Sequence, residues 1–330
     1  MKKVGLNSWW LGLCFLSLVG VFFMFSCERN QTKNTDHPQG SFSISGAFAL
    51  YPLTVKWVEE FRKDYPDIRV DVSAGGAGKG MVDVLADMVD LGMFSREVTP
   101  EEKQNGAWYI AVAKDAVVAT INGANPFCEM LYEQGVTKAQ LQALFTQDKT
   151  WYWADIHSGI SANTSIHIYT RSDACGAAQV WASFLGTNQE SLQGVGVFGD
   201  PGMADAVKKD GMSLGYNNVA YAYHVRTRQK YDGIEILPID FNGNGRLDPE
   251  ENVYQSLDSL MGAILEGVYP APPARELYFI AKGKPDNELV LLFLNWVLTK
   301  GQQFVNQSGY VILSEKELAV QQQLIVGDAQ

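Results

Sequence analysis

Three segments of this chain have the composition of loops that bind anions through their backbone. They cover residues 45–48, 74–80 and 172–177, and each follows a short apolar run and leads into an amphipathic stretch. A strand that enters a helix through a Gly/Ser/Ala loop leaves free N–H groups at the positive end of the helix dipole, where oxyanions bind. Three such loops in one chain, two of them close to an arginine, indicate a common anion site.

Charged and hydroxyl side chains near these loops could complete the site. Arg171 would carry the main charge, because its planar guanidinium can hold two oxygens of one oxyanion. Asp173 would orient Arg171 or accept a proton from the ligand, which a monoprotonated phosphate needs and sulfate does not. Ser95 offers a hydroxyl and Arg96 a second cation. The backbone amides of the cage would be those of Ala47, Phe48, Ala77, Gly78, Cys175, Gly176 and Ala177.

The alternative is that Arg171 and Asp173 form a surface ion pair beside an ordinary helix start. We favour the anion site because the three loops share the same strand-to-helix geometry.

A second motif, at residues 240–251, matches the twelve-residue EF-hand loop at every position. The predicted oxygen ligands are Asp240, Asn242, Asn244, the carbonyl of Arg246, Asp248 and Glu251. Residues 233–239 have the pattern of a strand and not of an EF-hand helix, so the motif predicts a structural Ca²⁺ site and not a sensor. The alternative is an acidic Asn/Gly turn that holds no metal.

Sequence patterns typical of enzymes are weak. Residues 211–215 match G-x-S-x-G, which would make Ser213 the nucleophile of a secreted hydrolase, but the required Asp-then-His order is missing downstream. Lys79 lies in a glycine-rich segment that lacks the first Gly and the Ser or Thr of a P-loop. We therefore expect a binding protein and not an enzyme.

Composition limits the classes of partner. The 330 residues, with 46% hydrophobic and 19% charged, are enough for two lobes with their own cores. The net charge of −11 argues against nucleic acid, because nucleic-acid binding depends on Lys and Arg at the phosphates. A small anion would have to be bound by local dipoles against the overall field.

The N-terminus has the pattern of a targeting segment. Lys2 and Lys3 precede an apolar stretch at residues 9–25, and Cys27 follows directly. We interpret residues 1–26 as a lipoprotein signal peptide, Cys27 as the lipidated residue and residues 27–40 as a polar tether. The alternative is an uncleaved membrane anchor with an incidental cysteine. Either way the folded part is expected outside the cytoplasm, attached to the cell envelope.

From residue 41 the chain alternates between short apolar runs and helical periodicity, which is typical of an α/β domain. The expected strands are 41–45, 68–73, 89–94, 116–121, 166–170 and 276–281, and the expected helices are 51–65, 81–88, 178–185 and 289–300. Residues 122–126 break the central run, where the chain is expected to cross to a second lobe.

The chain resembles the phosphate-binding proteins of ABC transporters. The segments that carry the resemblance are SGAFALYPL (45–53), GGAGKGM (75–81), DLGMFSRE (90–97), YTRSDACGA (169–177) and RELYFIAKG (275–283). The resemblance implies a type II periplasmic-binding-protein fold with two mixed α/β lobes joined by two hinge crossovers. Lobe 1 would comprise residues 41–121 and 270–330, and lobe 2 residues 122–269. It also implies that a monomer binds inorganic phosphate and delivers it to ABC permease subunits.

Several positions that usually carry a hydroxyl residue in this family have other residues here, including Ala77, Cys175 and Ala177. Backbone donors survive such changes, so an anion site remains. Three alternatives stay open: another anion (tungstate, molybdate, sulfate or a carboxylate), a ligand-free sensor or scaffold, and the hydrolase with Ser213.

Overall fold

The computed structural model describes residues 37–161 and 163–327. The predicted signal segment, Cys27 and most of the predicted tether lie outside the described residues. Within the described ranges, no helix is both long and apolar enough to cross a membrane.

Strands and helices alternate along the described chain, as expected for an α/β protein. The strands are β1 (Gly40–Gly46), β2 (Ile68–Ala74), β3 (Leu91–Phe94), β4 (Ala107–Asn122), β5 (Val136–Thr137), β6 (His167–Arg171), β7 (Val195–Val197), β8 (Ser213–Asn218), β9 (Ile234–Ile236), β10 (Ile239–Asp240) and β11 (Ala274–Lys282). The helices are α1 (Tyr51–Asp64), α2 (Ala77–Leu85), α3 (Pro100–Gln104), α4 (Cys128–Gln134), α5 (Lys138–Thr146), α6 (Gly176–Leu185), α7 (Gly199–Lys209), α8 (Val219–Ala222), α9 (Leu257–Glu266), α10 (Glu288–Leu298) and α11 (Glu315–Val326).

The main sheet has the strand order β2-β1-β3-β11-β4-β8-β6-β7, and β9 also pairs with β4. In the first lobe, β1 is parallel to β2 and β3, while β11 is antiparallel to β3 and β4. In the second lobe, β6 is parallel to β7 and β8, and β4 is antiparallel to β8 and β9. Strand β4 therefore belongs to both lobes.

The long strand β4 is built to be central in both lobes. Its sequence AWYIAVAKDAVVATIN is rich in Val, Ile and Ala and is buried over most of its length. From Ala107 to Ala116 it pairs with β11, and from Val117 it pairs with β8. The chain thus passes between the lobes inside β4 and returns ahead of β11. The structure confirms the two-lobed mixed α/β fold.

Each lobe has its own hydrophobic core. The first core packs α1 and α10 on the sheet through large rings, among them Trp57, Phe61 and Phe293. In the second lobe, Val117 and Ala119 of β4 belong to one core and Ala116 and Val118 to another. Because side chains alternate along a strand, these two cores cover opposite faces of the second lobe's sheet.

Most expected elements are found within a few residues of their predicted bounds. Two differ more. Strand β4 begins nine residues before the expected residue 116, because its first half pairs with β11 and is only partly apolar on one face. Helix α2 begins at Ala77, four residues before expected, since the glycines in its first turn pack closely on neighbouring backbone and do not end the helix.

Candidate functional site

All three predicted loops follow a strand of the main sheet and precede a helix. In the first lobe the loop after β1 leads to α1, and the loop after β2 leads to α2. In the second lobe the loop after β6 leads to α6. Parallel strands place their carboxyl ends at one edge of a sheet, where ligands of α/β proteins bind. The topology therefore brings loops of the same lobe to one edge.

The structure brings the loops of the two lobes into contact. The Gly78 amide of α2 donates a hydrogen bond to the Ala174 carbonyl of the second lobe at 3.3 Å. A Cβ built on Gly176 would lie 2.3 Å from the carbonyl and hydroxyl oxygens of Ser95, so only glycine fits there. A cavity of about 450 Å³ beside this contact is lined by residues that include Gly78, Ala174 and Cys175. Gly78 and Ser95 of the first lobe thus lie beside Cys175 and Gly176 of the second.

Arg171, at the end of β6, has a fully buried side chain held by two carboxylates. Its Nε and Nη2 donate to Asp173 Oδ1 and Oδ2 at 2.8 and 2.7 Å, and its Nη1 donates to Asp200 Oδ2 at 2.8 Å. Burial alone would lower the pKa of Arg171, but Asp200 and the other acidic neighbours raise it above its ordinary value. Arg171 is therefore a fixed cation and not a surface ion pair.

The guanidinium keeps donors to spare. It carries five N–H groups, of which the two aspartates take one on Nε, one on Nη1 and one on Nη2. One N–H on each Nη nitrogen is therefore not used by these two carboxylates and could donate to an oxyanion.

Asp200, the second carboxylate that holds Arg171, is not among the site residues predicted from the sequence. It stands in the first turn of α7, after a further strand–loop–helix connection at β7. The Gly199-Asp200-Pro201 sequence after an apolar run is the signal that could have identified this loop as a fourth member of the set. Its carboxylate, 2% exposed, could not be assigned to Arg171 from the sequence because 29 residues separate them.

Asp200 also begins a series of buried hydrogen bonds that runs to β4 and β11, the strands that pass between the lobes. The Asn218 side-chain amide donates to Asp200 Oδ1 at 2.6 Å, and Arg275 Nη2 donates to Asn218 Oδ1. Arg275 in turn donates from Nε to Asp115 Oδ1 at 2.8 Å, across the β4–β11 pair. These hydrogen bonds therefore link Arg171, through Asp200, to both strands that join the lobes.

The predicted cage amides differ in what they bind. The Ala47 amide donates to the Met93 carbonyl at 2.8 Å, and Gly78 donates to Ala174, so these two amides are already engaged. Ala77, Gly176 and Ala177 lie in the first turns of α2 and α6, where N–H groups have no partner within the helix. These first-turn amides are the ones that could bind an anion.

Cys175 takes the place of a hydroxyl N-cap. Its Sγ accepts a hydrogen bond from the Ala178 amide at 3.4 Å at the start of α6. Burial raises the pKa of the Cys175 thiol to about 12, although Arg171 opposes this. The sulfur is thus an uncharged cap at neutral pH. Cys128 is also a free thiol in this structure, so the two cysteines do not form a disulfide.

The other cations predicted or considered near the site are paired. Arg96 donates two bonds to the Glu102 carboxylate, from Nη2 at 2.5 Å and Nη1 at 2.8 Å, and stacks over Phe94. Lys79 is bonded to Asp83, which also accepts from Ser45 Oγ at 2.6 Å. Arg96 therefore lies beside the loops, but its charge is compensated within the first lobe.

Ser213 does not resemble a nucleophile. It is fully buried in β8, and its hydroxyl donates to the Val207 carbonyl at 3.0 Å. A buried hydroxyl that donates its hydrogen bond to a backbone carbonyl cannot attack a substrate in solution.

The loop at residues 240–251 is closed by its own hydrogen bonds. Asp240 accepts from the Gly243 and Gly245 amides at 2.6 and 2.9 Å. Glu251 reaches back across the loop and accepts from the Asn242 and Asp248 amides at 2.9 and 3.2 Å. In the described part of the chain, no group of three or more His, Cys, Asp or Glu side chains is arranged to hold a metal ion.

The sheet order and the loops between the lobes define a two-lobed binding-protein fold. A family model described as the PBP superfamily domain matches residues 31–300. The chain therefore belongs to the PBP superfamily.

Relatives agree with the expected family. The phosphate-binding protein PstS of Pseudomonas aeruginosa is 27% identical over 303 residues, which cover 84% of each chain. The phosphate-binding protein PstS 2 of Streptococcus pneumoniae is 31% identical over 91 residues, and the chain spans only 31% of that relative's length. These proteins are named as binding proteins, which agrees with the expectation that the chain is not an enzyme.

A solved structure gives the same fold. A protein from Clostridium perfringens, assigned as a phosphate ABC transporter substrate-binding protein with bound phosphate, superposes with a TM-score of 0.68 at 20% identity. The superposition covers 83% of this chain and 100% of that one. The expected resemblance and fold are both confirmed.

Proposed function

We propose that this protein binds inorganic phosphate between its two lobes and delivers it to an ABC importer. The observation that carries the proposal is the buried guanidinium of Arg171, with one N–H left on each Nη nitrogen. The first-turn amides of α2 and α6 lie on either side of the contact between the lobes. The names of the relatives favour phosphate as the anion and an ABC transporter as the partner.

The charges around Arg171 favour phosphate over sulfate. One guanidinium faces two carboxylates, so the cluster has acceptor oxygens in excess. An unprotonated anion has no hydrogen to donate to them. Asp173 Oδ1 accepts from Arg171 and from the Gly199 amide at 3.1 Å, whereas Oδ2 accepts only from Arg171 among the described residues. A phosphate that carries a proton can donate it to Oδ2, and sulfate cannot.

Calorimetric titration of residues 38–330 with phosphate, sulfate, arsenate, molybdate and tungstate tests the proposal. We expect phosphate to bind, and Arg171→Lys to weaken binding by about a hundredfold or more, since lysine loses the two-oxygen grip. Arg69→Lys is the control, because Arg69 is exposed and, among the described residues, is paired only with Asp71. Binding of another anion in preference to phosphate, or an unchanged affinity in Arg171→Lys, would contradict the proposal.

We further propose that Cys27 carries a lipid that anchors a monomer to the cell envelope. The support is the sequence pattern of Lys2 and Lys3, the apolar stretch and the cysteine that follows it. Metabolic labelling with palmitate tests the anchor, and the Cys27→Ala variant should take up no label.

A separate proposal is that the loop at residues 240–251 binds Ca²⁺ as a structural ion. Asp240 and Glu251 are 1% and 6% exposed, yet within residues 37–161 and 163–327 neither forms an ion pair with a basic side chain. Buried carboxylates are normally paired with a cation or bound to a metal. Together with the oxygen-bearing residues at every EF-hand position, this favours a hard cation bound by oxygen.

Thermal unfolding tests the calcium proposal. Ca²⁺ added to a chelated sample should raise the midpoint, because an ion that binds only the folded state stabilises it. Glu251→Gln should abolish the rise, and Glu250→Gln should keep it, since Glu250 is an exposed neighbour outside the ligand set. The same midpoint with and without Ca²⁺ in the unmodified protein would rule the site out.

A further inference from the structure

We propose that Phe48 and Phe198 form an aromatic latch between the lobes that holds the site closed over Arg171. The inference rests on the proposed function, because Arg171 is the anion-binding residue there. Phe48 belongs to the loop between β1 and α1, and Phe198 lies between β7 and α7. Their rings are 6.1 Å apart between centroids at an interplanar angle of 86°. This edge-to-face arrangement is a favourable aromatic contact.

Phe48 is also held by other parts of the second lobe. The Tyr221 hydroxyl of α8 donates to the Phe48 carbonyl at 3.2 Å. A Cβ built on Gly199 would lie 3.2 Å from Phe48 Cζ, so the ring packs closely on the start of α7. One residue of the first lobe therefore contacts Phe198, Gly199 and Tyr221 of the second.

The Phe48–Phe198 latch lies next to the Arg171 guanidinium, over which it would hold the site closed. The Arg171 guanidinium carbon is 6.0 Å from the centroid of the Phe48 ring. Asp173 connects the two features, since its Oδ1 accepts from both Arg171 and the Gly199 amide that follows Phe198. Separation of the lobes would take the Phe48 ring away from Arg171, Gly199 and Phe198 together.

Phe198 is a suitable place to test the latch because 63% of it is exposed. Its truncation leaves no cavity in a core and leaves no buried polar group unpaired. Its contact with Phe48 joins the two lobes, so its loss should favour the open form and speed ligand release. The size of an aromatic pair contact corresponds to a change of about twofold to tenfold in the closing equilibrium.

The experiment compares Phe198→Ala with Val195→Ala. Val195 is 61% exposed on the adjacent strand β7 and has no aromatic contact with Phe48, so it controls for loss of exposed apolar surface. We expect the phosphate dissociation rate to rise about twofold to tenfold in Phe198→Ala, to stay unchanged in Val195→Ala, and to return toward the original value in Phe198→Tyr.

A second measurement separates the latch from the proposed function. Small-angle scattering without ligand should give a larger radius of gyration for Phe198→Ala than for the unmodified protein and Val195→Ala. If the unmodified protein binds no phosphate, the proposed function fails and scattering alone decides the latch. The latch is overturned if Phe198→Ala matches Val195→Ala in the radius of gyration and, where phosphate binds, in the dissociation rate.

Discussion

The charged residues beneath the anion loops are mostly paired within their own lobe. Asp83 of α2, with 8% of its side chain exposed, binds both Lys79 and the Ser45 hydroxyl. This joins the glycine-rich loop after β2 to the end of β1. Burial acts to raise the pKa of Asp83, but the hydrogen bonds from Lys79 and Ser45 outweigh it, and the pKa lies below its ordinary value. Lys79 is therefore a structural cation and not an anion ligand.

Asp83→Asn should lower the free energy of unfolding at pH 7 by about 1–3 kcal/mol. Because the folded pKa is lowered, this stabilisation is present above the unfolded pKa of about 3.9 and is lost as the pH falls through the folded pKa. Urea unfolding at pH 7 and at lower pH measures it. Asp71→Asn, in an exposed ion pair, should cost less than about 1 kcal/mol. An equal loss in both variants would contradict the role of Asp83.

At the scale of elements, close backbone packing explains part of the glycine pattern. A Cβ on Gly80 would lie 2.9 Å from the Gly46 Cα and from the Met93 carbonyl oxygen. Helix α2 therefore rests directly on the ends of β1 and β3. Gly80 allows this approach and has no need of an anion, whereas the Ala77 amide in the first turn of the helix has no partner within the helix.

Gly46→Ala should destabilise the protein more than Gly106→Ala. Both glycines have positive φ, +131° and +94°, but a Cβ on Gly46 would meet the Met93 carbonyl oxygen at 2.3 Å and one on Gly106 would meet nothing within 4 Å. The backbone conformation costs about 1–3 kcal/mol in each case, and the clash adds about 1–3 kcal/mol at Gly46. Chemical denaturation of both variants measures the difference; equal losses would mean that β1 and β3 can move apart without cost.

At the scale of the whole molecule, a buried polar chain connects the candidate site to the strands that join the lobes. It runs from Arg171 through Asp200 and Asn218 to Arg275 and Asp115. All five side chains are buried. A rearrangement at the anion site therefore has a direct contact path to the region where β4 and β11 pass between the lobes.

Asn218→Ala should lower the free energy of unfolding by about 2–3 kcal/mol, because Asp200 and Arg275 each lose a buried hydrogen-bond partner. Asn188→Ala is the matched control, since Asn188 caps a short surface helix and its loss should cost about 1 kcal/mol. Urea unfolding of both variants tests the difference. A loss at Asn218 no larger than at Asn188 would show that the polar chain contributes little.

The local sequence was sufficient to predict strands β1, β2, β3, β4, β6 and β11, helices α1, α2, α6 and α10, and the loops at their ends. Apolar periodicity, turn residues and helix starts depend on neighbours a few residues apart, so the loops around Phe48, Gly78 and Cys175 could be recognised as strand-to-helix connections. The type of residue also singled out Arg171, because few other side chains can hold an oxyanion at two points.

Only the tertiary structure decided which groups meet. The order of strands in the sheet brings Asp200 to Arg171 and Phe198 to Phe48, across separations that no local pattern encodes. Arg96 and Lys79 instead pair with residues close in the chain, Glu102 and Asp83, and these pairs compensate both charges within the first lobe. A charge becomes a ligand or a structural ion according to its partners, and for Arg171 those partners depend on the pairing of β6 with β7, which brings Asp200 beside it.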